Sequence, residues 1–400
     1  TIRGDMLVSL LQRTAQQMIQ MPMKGMGGKL AHKFFSEIRT RTGMQMMVAN
    51  ITNALQQITG ISIAALKVKP KYLRDALWAY TRQPTVTTNE IAEKSEYMRT
   101  RMSSAQFEVS KQIEDMLVDP SKYDKLRDFA HKHGYFMQQG MQNLVDTIVW
   151  TGAYNQAIEA GVDSDIDAVR QADAAVRQTQ GSFSPEDVSR FETGNALVRA
   201  YTMFYSYFNM QANLLGTEFT KTVREYGVKK GAGQLFYTYV FGFMIPAVLS
   251  EIIVQAAGGF DDGDDDEYDM YDAMSLFFGS QARTALAMFP LVGSSVTAGF
   301  KMWNSKPYDD RISTSASVSA LESTVRAPHS VYKAIADDGS WKKAVKDTLT
   351  MLGMLTGLPL GQLGKPLGYA ADVAQCKTEP ESVGDVVRGA ISGKDVNRKD

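Results

Sequence analysis

The residue types that do chemistry are sparse in this chain and poorly spaced for it. The four histidines are His32, His131, His133 and His329. His131 and His133 lie two positions apart, on different faces of any helix, and neither has a further ligand at metal-binding spacing. The single cysteine, Cys376, excludes an intrachain disulfide and a cysteine-based zinc site. GQLGKP at 361–366 approaches a phosphate loop. Position 359 is proline where the first glycine belongs, and Pro366 replaces the Ser or Thr that would hold Mg²⁺. The acidic run FDDGDDDEYD at 260–269 approaches a calcium loop. Counted from Asp262, its sixth position is Glu267 rather than the glycine of the turn, so a solvated acidic linker is expected. Neither G-x-S-x-G nor H-E-x-x-H occurs, and spacing singles out no carboxylate pair. No catalytic residue, metal ligand or cofactor is assigned, and no enzymatic activity is expected of this segment.

One segment could meet a polyanion: KVKPKYLRDALWAYTR at 67–82. Lys67, Lys69, Lys71, Arg74 and Arg82 could neutralise phosphates of DNA or of lipid headgroups, with Tyr72, Trp78 and Tyr80 offering stacking faces. The same residues also read as an amphipathic helix with Leu73, Leu77 and Trp78 on its apolar side and a basic outer face. Net charge is −1, so any such contact is local rather than driven by a global field.

The elements that would position these residues are helices. Apolar residues recur at helical spacing in 107–118 (Val109, Ile113, Met116, Leu117) and from Met137 through Met141, Leu144, Val145 and Ile148. Ser184-Pro185-Glu186-Asp187 opens another helix with a capping hydroxyl and a proline at the first position. Alternating strand patterns are nearly absent. The expectation is an all-α, extended multi-helix assembly: an amphipathic region over 1–130, a second helical region over 131–220, a hydrophobic, membrane-associating region over 221–375, and a polar tail over 376–400. The 22 methionines suit loosely specified apolar contacts. The chain opens on Thr1 with no signal-peptide pattern, which reads as a piece of something longer.

The segment 235–257 carries one formal charge, Glu251, and is long enough to cross a hydrocarbon core. Lys221, Arg224, Lys229 and Lys230 precede it, and Tyr237 and Tyr239 lie where an interfacial belt would place them. In lipid Glu251 demands a partner or a polar lumen, so the same segment also fits the central helix of a soluble core. Two weaker apolar stretches come after it. Residues 274–300 contain Arg283 and Pro290; residues 348–374 contain Gly353, Gly357 and Gly361 at four-residue spacing, the pattern of close helix packing in lipid. Pro359 and Pro366 there predict broken or interfacial helices. Residues 301–347 read as a polar surface linker with short helices.

The stretch 172–215 carries a more specific pattern, with Ala172, Asp173, Val176, Arg177, Thr179 and Gln180 followed by Phe204 to Asn209. It resembles a segment of large polyvalent proteins of phages and mobile elements, related to the internal virion (DNA ejection) proteins of short-tailed phages. MFPLVGS at 288–294 and LTGLPLGQ at 355–362 resemble the apolar C-terminal part of such proteins. The resemblance spans roughly 140–375. It implies a protein stored in the virion that moves to the host envelope and helps form a conduit for the genome. Its partners would be other copies of itself, other ejection proteins, the host membrane and phage DNA. A soluble scaffold region of a polyvalent protein, with any enzyme upstream of Thr1, is the alternative that the same motifs imply.

Overall fold

In a computed structural model of the 400-residue chain, the described residues are 25–47, 50–102, 136–181, 205–258, 270–288, 316–336 and 341–375, with a few positions beyond. They are all-α, as the periodicity predicts, with no strand among them. The expected helix at 107–118, the Ser184 start, His131, His133, Cys376, Phe204 and the acidic run all lie outside the described residues.

The helix α6 (Phe136–Glu159) is the centre of the larger packed group. Its residues 145–150 are buried one after another, which an amphipathic surface helix never shows. Neighbours surround it: α2 (Ile51–Gln56), α3 (Thr59–Ala64), α4 (Pro70–Arg82), α5 (Pro84–Lys94) and α7 (Asp165–Thr179). Val145, Ile148, Val149 and Trp150 meet Ala64, Val68, Leu73, Ala76, Ile91, Met98, Ala172 and Val176 in one core. Local signals set the ends of these elements. Pro70 and Pro84 stand at the first turns of α4 and α5, where a missing N–H costs nothing. Ser164 caps α7 by accepting from the Asp167 N–H at 3.1 Å, and Asp165 and Asp167 sit in its first turn.

A buried ion pair crosses this core. Arg101 Nε donates to Asp146 Oδ2 at 2.7 Å, and its Nη2 reaches both Asp146 Oδ1 at 3.3 Å and the Gly181 carbonyl at 2.8 Å. Gln142 adds a donor to Asp146 at 2.8 Å. Burial alone would lower the Arg101 pKa; the Asp146 carboxylate outweighs it and raises the pKa instead.

From α8 (Tyr205–Lys230, kinked at Gly227) the chain runs into α9 (Ala232–Tyr239), a π-helical turn (Val240–Met244) and α10 (Ile245–Gly258). The latter packs on α2, α3 and α11 (Met270–Ala287). A second group unites α1 (Gly25–Met47) with α12 (Ala316–Ala336), α13 (Trp341–Thr356), a 3₁₀ turn (Leu360–Leu363) and α14 (Gly364–Ala374). Packing therefore cuts across the boundaries expected at 130 and 220: α1 joins the C-terminal helices, and α8–α10 join the N-terminal core. Within the expected linker, α12 runs for 21 residues and pairs with α13 through Ser330 Oγ donating to Asp347 at 2.6 Å.

Replacing Asp146 with Ala leaves Arg101 buried without its counter-charge. The expected loss of stability is about 3–5 kcal/mol, read by denaturant unfolding; a loss under roughly 1 kcal/mol would show that the pair is dispensable.

Candidate membrane-facing helices and the motif cluster

The described residues of the 172–209 pattern converge on one structural job. Asp173 accepts from Ser95 Oγ and from the Trp150 indole N–H, each at 2.7 Å. Arg177 lies 4.8 Å over the Tyr97 ring. Ala172, Val176 and Thr179 are fully buried, Thr179 donating to the Ala175 carbonyl at 2.7 Å. Gln180 donates to the Gly60 carbonyl at 3.0 Å. From the second half of the motif, Tyr207 meets Thr59 at 3.1 Å. These side chains key α7 and α8 onto α3, α6 and the helical turns at 96–102. They are fold-forming contacts.

The run Ala232–Val254 is, by length and composition, able to cross a membrane: 23 residues at mean hydropathy 1.6. In its most apolar window 28% of the residues are buried, and most of the remaining positions of the run are half-buried. The way it is held depends on Pro246. In the π turn the Ile245 N–H reaches back to the Val240 carbonyl. Pro246 has no N–H to offer the carbonyls of Phe241 or Gly242, five and four residues back. Side chains from other helices supply the donors: Ser62 Oγ to Phe241 and Gln211 Nε2 to Gly242, both at 2.8 Å. Gly242 lies close at that crossing: a Cβ there would meet the Leu66 and Leu215 methyls, which would have to shift.

Glu251 finds the partner it needs. Arg283 of α11 lies 2.9 Å away, with the carboxylate side chain 10% exposed and the guanidinium 23%. The charges of the two apolar stretches thus neutralise one another where α10 and α11 meet. Phe236, Ile252, Met274 and Phe278 remain exposed on these helices. Tyr237 and Tyr239 do not form an interfacial belt: Tyr237 donates to the Ala65 carbonyl at 2.9 Å, and Tyr239 bonds Gln281. An aromatic hydroxyl spent inside the protein cannot also anchor at headgroup level.

The basic segment is largely committed to the fold. Lys67 pairs with Glu218 at 2.5 Å, Lys71 with Glu159 at 2.9 Å, and Arg74 with adjacent Asp75 at 2.7 Å. The Lys69 backbone N–H donates to Gln156 at 2.7 Å, while its side chain is exposed. Leu73 and Ala76 face the core, whereas Leu77 and Trp78 point outward, so the apolar side expected for Leu77 and Trp78 is not the buried one. Arg82 stacks on the Trp78 ring at 4.7 Å.

Gly353, Gly357 and Gly361 do not share a helix face. The helix α13 ends at Thr356, and Gly357 stops it at φ +74°, a backbone conformation that favours glycine. Gly353 and Gly361 instead flank Gln45 of α1. The Gln45 side chain donates to the Leu358 carbonyl at 2.5 Å and accepts from the Gly361 N–H. The near phosphate loop at 361–366 is thus occupied by contacts to α1, with Gln362 donating to the Gln45 carbonyl at 2.9 Å. Among the described residues no group of three His, Cys, Asp or Glu is placed to hold a metal. Comparison with protein-family models, curated proteins and solved structures returned no match.

Replacing Gln211 with Leu removes a buried donor from the Gly242 carbonyl. A loss of about 1–3 kcal/mol is expected, with the α8–α10 amides gaining hydrogen exchange before those of α6. Uniform exchange across both groups would contradict this placement of the anchor.

Proposed function

We propose that the chain is a structural, membrane-associating protein of the phage ejection type. It works with other copies and other virion proteins to help form a conduit for the genome across the host envelope, and it carries no catalytic site of its own in this segment. The observation that carries the reading is the long, only partly covered apolar run Ala232–Val254, whose charge Glu251 is matched by Arg283 from the neighbouring apolar helix. A paired charge can enter a low-dielectric layer at a fraction of the cost of a lone one. The residues at 173–180 are spent on fold-forming contacts, which fits a structural role. In this reading the protein resides in the virion and passes to the host envelope.

A second reading is favoured by the anchoring of the apolar run through Ser62, Gln211 and Tyr237. Those bonds suit a soluble scaffold region of a large polyvalent protein, with enzymatic work done elsewhere in the chain.

The two separate by flotation of the whole chain with phosphatidylcholine vesicles. The isolated 221–375 segment is unsuitable, since it lacks the donors to Phe241 and Gly242. Most of the protein is expected to rise with the vesicles and to be present in filled virions but lost from emptied ones. A lipid-free soluble monomer, or retention in emptied particles, would overturn the ejection reading.

A further inference from the structure

We infer that the outer face of α4 is a second membrane contact, one that rides on the surface of an anionic bilayer rather than entering it. It stands apart from the α10–α11 reading and does not need it.

Arg74, Leu77, Trp78, Thr81 and Arg82 fall at i, i+3, i+4, i+7 and i+8, one face of a helix. Leu73 and Ala76 take the opposite face into the core. The outer face is exposed along its length, with Trp78 at 61% and Leu77 at 40%. On the next helix, α5, Val86 is also exposed, at 49%. An exposed tryptophan beside two aliphatic side chains is an unusual solvent face for a helix whose other side already fills a core. Among the described residues Arg82 has no carboxylate partner; its guanidinium lies over the Trp78 ring. Arg74 is held only by its exposed neighbour Asp75.

This chemistry selects the occupant. Tryptophan with leucine and valine, rimmed by arginine, suits the headgroup layer, where the ring and aliphatic groups enter the acyl boundary and the guanidinium meets lipid phosphate. Nucleic acid fits it poorly. Lys67 and Lys71 are already neutralised by Glu218 and Glu159, which leaves Lys69, Arg74 and Arg82 as the segment's cations without a distant acid partner. Too few free charges remain to release many counterions, and Leu77 and Val86 would find no partner on a sugar-phosphate backbone. A bilayer rich in phosphatidylglycerol uses both the apolar residues and the two arginines.

The test uses the whole chain with vesicles of phosphatidylcholine alone or mixed with phosphatidylglycerol. Tryptophan emission is expected to shift to the blue, and to be quenched by brominated lipid, only on the anionic vesicles. Trp78→Phe should abolish that signal with circular dichroism unchanged. Arg74→Glu with Arg82→Glu should cut the preference for anionic over neutral vesicles about tenfold or more. An unchanged signal in Trp78→Phe, or a Trp78 signal produced by duplex DNA instead of vesicles, would overturn the inference. Flotation with neutral vesicles reports on the apolar helices alone, so either reading can fail without the other.

Discussion

Pro246 is the constraint around which the larger group of helices is arranged. A proline within a long apolar helix removes a donor from the backbone ladder, and the π turn before it widens the defect to two carbonyls. Buried carbonyls need donors. Ser62 comes from α3 and Gln211 from α8, so meeting that need ties three elements distant in sequence to one point. Gly242 lets them come close enough. The apolar run is thereby fastened at its middle, while Phe236 and Ile252 stay exposed.

Charge is handled in the same local way in both halves of this group. Asp146 is buried with Arg101, Gln142 and the Gly181 carbonyl completing its network, and Glu251 is met by Arg283. Asp146 lies in the buried stretch of α6 and Glu251 in the apolar run, and each is answered by an arginine from another element. Arginine suits this role because its fixed fork of donors can serve a carboxylate and a carbonyl together. Such pairs are weak sources of stability compared with apolar packing, but they restrict which helices can meet, since any other arrangement strands a charge.

The polar motif at 173–180 belongs to this arrangement. Its aspartate holds Trp150 and Ser95, its arginine covers Tyr97, and its glutamine closes on Gly60. A polar motif at helical spacing invites a catalytic reading. Here these polar groups are consumed by internal partners, which is why the motif reads as a signature of the fold.

The all-α class, the helical run through Val145 and Ile148, and the apolar run with its demand for a partner to Glu251 were all legible in the residues alone. These depend on local rules: periodicity, and the cost of a lone charge in an apolar setting. Folding was needed to show that Arg283 answers Glu251, that α1 packs on the C-terminal helices, and that Leu77 and Trp78 face outward. It was needed also to show that Gly353 and Gly361 close around Gln45 while Gly357 ends a helix. Four-residue spacing of glycines looks alike whether one helix continues or stops, because glycine accepts either sign of φ and the packing around it selects one. Basic residues at 67–71 look free in sequence, because Glu159 and Glu218 lie far along the chain and are brought back only by tertiary packing.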